Sequence, residues 1–211
     1  MIVYKNYISY EDYNKNIINI SDENIKDYFN YFIIDHNQFP VILPTTRLEI
    51  NLNQLRKNYK AISNRIGSDI GIISILKADA YGHGLIPIAE TLNKLRTSKI
   101  GLASIEEIKI LRDRNIHTPI LLLYPPLLNQ LELLLDLNVK ITMTDYNAIL
   151  LLNRLAKKRK KIIKIHIQID TGLNRFGVKP NKAVTFITNT VKLKNISIEG
   201  IWTHFMDAEN D

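Results

Sequence analysis

From Thr45 onward, short apolar segments alternate along the chain with longer segments whose apolar residues recur at helical spacing. The short segments predict strands at residues 47–51, 71–77, 100–104, 119–124, 139–144, 162–170 and 196–204. The helix expected after residues 100–104 begins at Ser104 and has Glu107 three residues later, which predicts a capping box. Strands that alternate with helices in this way predict a parallel sheet with its helices on the outside.

Two architectures accommodate the six strand–helix units that begin at residue 71: a doubly wound sheet, and a (β/α)8 TIM-type barrel, which has eight strands. Polar residues stand at the ends of the six strands, in the order Lys77, Ser104, Tyr124, Thr144 with Asp145, Asp170 with Thr171, and Thr203 with His204. Barrel enzymes collect reactive side chains from several strand ends at one rim. We therefore expect an α/β fold that is an incomplete (β/α)8 barrel with about six βα units.

Residues 1–44 lack this alternation and predict one short helix near residues 22–32, so we expect an N-terminal extension of unknown role before a barrel domain at residues 45–211. The N-terminus has neither the basic start nor the long apolar middle of a signal peptide, and the apolar segments are too short to span a membrane. The chain has no cysteine, which excludes disulfides and thiolate metal ligands. We expect a cytoplasmic protein with no metal and no membrane partner.

The formal net charge of +7 raises the possibility of a nucleic-acid partner. The densest basic run, at residues 157–161, follows the apolar-periodic residues 146–156 and therefore falls at the end of a helix, where cations complement the helix dipole. No aromatic residues interleave with these charges, as they do in proteins that bind single strands. A solvated helix end is favoured over a phosphate-binding patch, and we expect no nucleic-acid partner.

Lys77 stands where an apolar segment meets a glycine-rich turn, in ISILKADAYGHG at residues 73–84. A lysine there either extends its charged end to water or acts as a nucleophile, since burial favours a neutral amine that can attack the carbonyl of a substrate or of pyridoxal phosphate. Strand position alone favours the solvated lysine. The residues that follow favour the nucleophile instead. Tyr81 supplies a hydroxyl, and Gly82 and Gly84 allow a close-fitting turn before a helix start, where a phosphate is stabilised.

Residues 77–84 resemble the cofactor-attachment signature of the bacterial alanine racemases, in which a lysine is followed by Ala, Asp or Asn, a small residue, Tyr, Gly and His. Three other segments resemble the same family: RLEINLNQLRKNY at 47–59, IDTGLNRFGV at 169–178 and EGIWTHFMDAEND at 199–211. Together they cover nearly all of residues 45–211. The resemblance implies a pyridoxal-phosphate-dependent racemase that converts L-alanine to D-alanine for peptidoglycan.

The resemblance also implies roles for four residues. Lys77 would bind pyridoxal 5'-phosphate covalently and act as the acid/base on one face of the amino acid. Tyr81 would hydrogen-bond the cofactor phosphate, Arg175 would approach the pyridine hydroxyl and the substrate carboxylate, and His204 would lie beside the cofactor ring. Without the flanking motifs, Arg175 would be interpreted as a solvated loop arginine and His204 as a core histidine.

Two departures from the family pattern bear on activity. Gln168 stands where many members have a carbamylated lysine that orients the arginine, and its amide oxygen offers the same acceptor without the charge. In the family, two more strands, an arginine facing the pyridine nitrogen and a β domain follow, and a tyrosine from the partner subunit is the second base. We therefore expect residues 1–211 to form a truncated, N-terminal portion that lacks this base.

Three interpretations follow. The first is a racemase that works as a homodimer or with a complementing C-terminal chain, acting on alanine or on serine or another small amino acid. The second is a barrel that binds pyridoxal phosphate without racemising, and the third is an inactive truncated product. The signature around Lys77 favours the first.

Overall fold

The computed structural model describes residues 2–5 and 48–209, which fall in two compact units of residues 1–59 and 60–211. The helix predicted near residues 22–32 lies outside the described residues, as does most of the predicted N-terminal extension. The division between an extension and a barrel domain at residues 44 and 45 stays a prediction.

The first unit contains a strand that the sequence pattern did not predict. Strand β1 (Ile2–Lys5) pairs in parallel with β2 (Leu48–Asn51), the first of the predicted strands. Helix α1 (Leu52–Ile66) begins directly after β2. Asn51 caps this helix, because its Oδ1 accepts a backbone N–H of the first turn at 2.9 Å.

The second unit is built on six parallel strands: β3 (Ile73–Ile75), β4 (Lys99–Leu102), β5 (Ile120–Leu122), β6 (Lys140–Met143), β7 (Ile163–Ile169) and β8 (Ile196–Thr203). They are hydrogen-bonded in sequence order and every neighbouring pair is parallel. A doubly wound sheet reverses its strand order at a switch point, whereas a barrel keeps sequence order. The predicted α/β fold with six units of a (β/α)8 barrel is confirmed.

The helices that follow these strands are α2 (Lys77–Tyr81), α3 (Leu85–Lys94), α4 (Ile105–Asp113), α5 (Leu131–Asp136, after a 3₁₀ turn at Leu128–Gln130), α6 (Tyr146–Lys158) and α7 (Pro180–Thr190). Lys157 and Lys158 lie in the last turn of α6, as predicted from the basic run. Within the described residues, no helix is both long and apolar enough to cross a lipid bilayer.

Alternation along the strands separates an apolar face from a polar face. One face is almost entirely buried and carries Ile100, Leu102, Ile120, Leu122, Ile141, Met143, Ile165 and Ile167. Helix residues Ile108, Ile149 and Leu152 are also completely buried, so the hydrophobic core lies between sheet and helices. The opposite face of β6 and β7 carries Lys140, Thr142, Lys164, His166 and Gln168. Polar side chains therefore occupy the face that lines the interior of a barrel.

Glu199 organises a charged cluster near the starts of the strands. Its carboxylate lies 3.2 Å from Lys99 Nζ, 3.6 Å from Lys140 Nζ and 3.2 Å from Lys164 Nζ. A β-bulge opposite Ile165 and His166 inserts Glu199 into β8 as an extra residue, and bulges of this kind redirect side chains. The cluster connects β4, β6, β7 and β8 through one carboxylate.

The electrostatics of this cluster predict a loss of stability in acid. Burial alone would raise the pKa of Glu199, but the lysines and His166 lower it to about 2, whereas burial lowers the pKa of His166 below its usual 6.5. The unfolded chain therefore binds more protons than the folded chain, at His166 once the pH falls below 6.5 and at Glu199 between about 4.5 and 2. We expect the free energy of unfolding, measured by urea denaturation, to fall as the pH drops below 6.5 and to fall again between about pH 4.5 and 2.

The variant Glu199→Gln separates the two contributions. It should be less stable than the unaltered chain near pH 7, because three lysines lose their counter-charge, and it should show a shallower decline between about pH 4.5 and 2. A decline equal to that of the unaltered chain would show that other carboxylates dominate acid unfolding.

Candidate active site

Lys77 lies just beyond β3 rather than at its end. The strand ends at Ile75, and Leu76 N–H donates to the Gly101 carbonyl of the neighbouring strand at 2.9 Å. The prediction that the strand extends to Lys77 is therefore wrong by two residues. Lys77 is half-buried and is the first residue of α2. Its amine therefore lies at the rim of the sheet, beyond the end of the strand.

The residues after Lys77 form a left-handed turn. Ala78, Asp79, Ala80 and Tyr81 have φ between 53° and 55°, where each L-residue is strained by roughly 1–2 kcal/mol. Four such residues in succession need strong compensation from their surroundings. The turn places the Tyr81 ring centroid 5.8 Å from Lys77 Nζ, which no residue spacing in the sequence indicated.

Helix α3 begins at Leu85 with Gly84 as its N-cap, as the glycine-rich pattern predicted. Gly84 has φ of +89°, which favours glycine. One of the N–H groups at this helix start is already used, because Leu85 N–H donates to Asp79 Oδ1 at 2.6 Å. Asp79 thus joins the left-handed turn to the helix that follows it.

Tyr124 lies at the centre of the candidate site. Lys77 Nζ is 5.8 Å and Arg175 Cζ is 5.6 Å from the centroid of its ring, both within the range of cation–π attraction. The Phe176 ring meets the same ring edge-on at 5.2 Å between centroids. Sequence reasoning placed Tyr124 at a strand end but assigned it no role in the site, and Phe176 was missed altogether. The available signal was an aromatic residue directly after a buried strand, at the same rim as Lys77.

Asp170 shapes the loop that carries Arg175. Its Oδ1 accepts the backbone N–H groups of Gly172 at 3.1 Å and Asn174 at 2.9 Å, and its Oδ2 lies 2.6 Å from Lys179 Nζ. The hydrogen bond from Lys179 and those from the loop lower the pKa of Asp170 to about 2. The carboxylate therefore stays charged at neutral pH and holds the loop by its backbone.

Gln168 is only 3% exposed, and its Oε1 has no hydrogen-bond partner among the described residues. It shares the polar face of β7 with Asp170. A buried carbonyl oxygen without a donor costs free energy, so this atom is an acceptor available to a ligand, a water or a mobile cationic side chain.

Three of the four residues proposed from the sequence converge. Lys77 lies close to Tyr81, and Arg175 joins them through Tyr124. His204 is exposed beyond the end of β8, and its Nδ1 is 2.8 Å from the carbonyl oxygen of Phe205, to which it donates. Within the described residues, no hydrogen bond, ion pair or ring contact joins His204 to the other three.

This arrangement combines one primary amine, two phenols (Tyr81 and Tyr124) and one guanidinium at a single rim. An amine can bond a carbonyl carbon, while a phenol and a guanidinium donate hydrogen bonds to phosphate or carboxylate oxygens. Among the described residues, no group of three or more histidines and carboxylates is placed to hold a metal ion. The rim therefore suits an anionic ligand that carries a carbonyl.

Comparison with known proteins agrees with this chemistry. Residues 50–211 match the family model described as alanine racemase, N-terminal domain. The alanine racemase of Halothermothrix orenii is 42% identical over 164 residues, and alanine racemase 2 of Clostridium acetobutylicum is 38% identical over 165 residues. These matches cover 78% and 77% of this chain. The chain spans 43% and 42% of those relatives, which is less than half of their length.

Solved structures show the same relationship. The alanine racemase of Clostridium difficile 630 superimposes with a TM-score of 0.71 at 34% identity, over 74% of this chain and 41% of that chain. A histidine racemase from Leuconostoc mesenteroides gives a TM-score of 0.68 at 25% identity, over 74% of this chain and 42% of that chain. Given this fold and the match over most of its length, the chain belongs to the alanine racemase family.

Proposed function

We propose that residues 45–211 form the barrel portion of a pyridoxal-phosphate-dependent racemase that interconverts L- and D-alanine. The observation that carries the proposal is the convergence of Lys77, Tyr81 and Arg175 around Tyr124 at one rim of the sheet. Both curated relatives described above are named alanine racemases, which supports alanine as substrate. The histidine racemase of the same fold shows why the amino acid itself has to be tested.

The residues present fit pyridoxal phosphate. The cofactor has an aldehyde, a phosphate and a ring hydroxyl, and the rim offers an amine for the first and donors for the other two. Gly82 has φ of +79° and open space where a Cβ would stand, so a ligand can approach the backbone of the turn. The unpartnered Oε1 of Gln168 is a buried acceptor on the polar face that leads to this rim.

Each residue then has a specific task. Lys77 would hold the cofactor covalently, and Tyr81 would donate a hydrogen bond to its phosphate. Arg175 pairs with the carboxylate of the amino acid and approaches the ring hydroxyl, because a planar guanidinium bonds a carboxylate through two parallel N–H groups. His204 would lie beside the cofactor ring only after exchanging its hydrogen bond to Phe205 for one within the site.

When bound, the cofactor withdraws electron density from the α carbon and so makes its proton acidic. The Lys77 amine, released once the amino group of the substrate has taken its place on the cofactor, would remove or return this proton on its own face of the amino acid. Tyr124 restricts water around the Lys77 amine by its ring. Arg175 fixes the carboxylate, which orients the α carbon toward the lysine.

Gln168 Oε1 has no hydrogen-bond partner among the described residues, so it does not hold Arg175 in this structure. A glutamine oxygen accepts a hydrogen bond from a guanidinium but adds no negative charge. Arg175 therefore keeps more of its charge for the substrate carboxylate, and its orientation relies on the Tyr124 and Phe176 rings at 5.6 and 5.9 Å.

Racemisation also needs a base on the opposite face of the amino acid. We propose that a tyrosine supplies it from outside the 211 residues, from a partner subunit of a homodimer or from a complementing C-terminal chain. D-alanine made in this way in the cytoplasm would serve peptidoglycan synthesis.

Proton exchange tests the proposed function. The unaltered 211-residue polypeptide is incubated with pyridoxal phosphate and, in separate samples, L-alanine or D-alanine in deuterated water, and α-deuteration and chirality are measured on each sample. We expect deuterium to enter one of the two enantiomers faster than with free pyridoxal phosphate while that alanine keeps its chirality, because Lys77 works on one face. Parallel samples with L-serine and L-histidine define the substrate.

Cofactor bound without any exchange would identify a binding protein instead of a racemase. Deuteration accompanied by equal formation of D-alanine would show that a residue within the 211 supplies the second base. No retention of pyridoxal phosphate by the polypeptide would contradict the proposed function.

A further inference from the structure

Glu107 does not make the capping box that its spacing from Ser104 predicts. Ser104 does act as the N-cap of α4, because its Oγ accepts the Glu107 N–H at 3.2 Å. The Glu107 side chain, however, bonds other amides. Its Oε2 accepts the N–H of Ala103 at 3.2 Å and its Oε1 accepts the N–H of Asp79 at 3.1 Å.

These two hydrogen bonds join neighbouring parts of the rim. Ala103 follows β4, whereas Asp79 is the second of the four left-handed residues that follow Lys77. Asp79 in turn accepts the N–H of Leu85 through Oδ1 at 2.6 Å. A chain of two carboxylates thus runs from the end of β4 through the left-handed turn to the start of α3.

We propose that Glu107 is a positioning residue for Lys77 and Tyr81, which it holds through the backbone of the left-handed turn. The turn has four residues in a strained conformation, and a carboxylate that accepts a backbone N–H is among the stronger hydrogen bonds available to offset strain. Glu107 belongs to the next βα unit, so it secures the turn against a separate part of the rim.

The inference rests on the proposed function, because it assigns the turn to holding a cofactor. Among the described residues, Glu107 forms hydrogen bonds with Asp79, Ala103 and Ser104 and none with Lys77 or Tyr81. Its effect on them passes through Asp79, whose N–H it fixes. Loss of this bond should loosen the turn and make the orientations of the amine and the phenol less uniform.

The test compares Glu107→Ala, Glu107→Gln and the control Glu106→Ala in the full 211-residue chain. Glu106 is exposed and lies in the same first turn of α4, so its removal reports the effect of lost negative charge at this helix end. Glutamine keeps one acceptor oxygen, and therefore one of the two hydrogen bonds, and replaces the other oxygen by a donor.

Amide hydrogen exchange by mass spectrometry is followed in peptides that cover residues 78–85, together with pyridoxal phosphate affinity by visible absorbance. In Glu107→Ala we expect exchange in this segment to accelerate roughly 10- to 100-fold, the factor associated with a hydrogen bond to a charged group, and cofactor affinity to fall about 10-fold. Glu107→Gln should lie between Glu107→Ala and the unaltered chain in both measurements. Glu106→Ala should match the unaltered chain.

The outcomes separate this inference from the proposed function. Faster exchange with unchanged affinity would show that Glu107 is only structural and would overturn the positioning role. Unchanged exchange in Glu107→Ala would overturn it as well, while leaving the proposed function intact. If the unaltered chain binds no pyridoxal phosphate, the proposed function fails and the positioning role fails with it.

Discussion

Replacement of Lys77 by alanine is expected to abolish covalent attachment of pyridoxal phosphate completely. The unaltered chain, treated with the cofactor and then with borohydride, should retain it after denaturation, and peptide mapping should place the adduct on Lys77. Alanine removes the amine whose Nζ lies 5.8 Å from the centroids of both the Tyr81 and the Tyr124 ring. The loss should be total rather than partial, because a covalent bond cannot form without its nucleophile.

Two further variants make this test specific. Lys77→Arg keeps a cation near the two tyrosine rings but has no nucleophilic amine, so it should lose the adduct while retaining the stability of the unaltered chain. Lys157→Ala removes an exposed lysine from the end of α6 and should attach the cofactor normally. An adduct of equal yield in Lys77→Ala, mapped to a different lysine, would contradict the assignment of Lys77 as the attachment site.

Replacement of Gly177 by alanine is expected to displace the loop that carries Arg175 and to destabilise the chain by on the order of 3 kcal/mol. Gly177 has φ of +120°, and an added Cβ would lie 2.6 Å from Asp170 N and 2.9 Å from the carbonyl carbon of Ile169. These are backbone atoms at the end of β7 and cannot rotate aside. Urea denaturation followed by the fluorescence of Trp202, the one tryptophan of the chain, measures the loss.

The clash should break two backbone hydrogen bonds as well. Asp170 N–H donates to the Val178 carbonyl at 3.0 Å, and Val178 N–H donates to the Gln168 carbonyl at 2.8 Å. We therefore expect Gly177→Ala to reduce cofactor attachment in addition to stability. The matched control is Gly67→Ala, at φ of +87° with open space around the added methyl, which should cost about 1 kcal/mol. Equal losses in the two variants would show that backbone strain, not the clash, dominates at Gly177.

Much of the fold could be predicted because it depends on local pattern. The period of apolar residues located all six strands of the sheet, and their alternation with helices predicted parallel pairing in sequence order, which the structure confirms. The strand ends were less accurate, since β3 stops at Ile75 and not at Lys77. Strand β1 was missed because residues 1–44 lack the alternation of strand and helix patterns on which the prediction rests. Its pairing partner β2 lies more than forty residues later in the chain.

The candidate site was predicted in part. Lys77 and Arg175 were identified from motifs that resemble a family, and the structure brings both to the Tyr124 ring. Tyr124 itself has no motif around it, so its place between two cations depends on how the residues that follow β3, β5 and β7 meet. No sequence pattern indicated which backbone N–H groups Asp170 and Glu107 would bind. The spacing of Glu107 from Ser104 instead fits a capping box, which the structure does not form.

By itself, the sequence determined the class of the fold, the order of its strands and the residues that carry chemistry, because periodicity and residue type are properties of neighbouring positions. Only the tertiary structure decided how these residues are presented. The left-handed conformation of residues 78–81 is unfavourable locally, and Glu107, from the next βα unit, helps to offset its cost by accepting the Asp79 N–H. Local sequence preferences do not indicate strain of this kind, because contacts with residues distant in the sequence offset it.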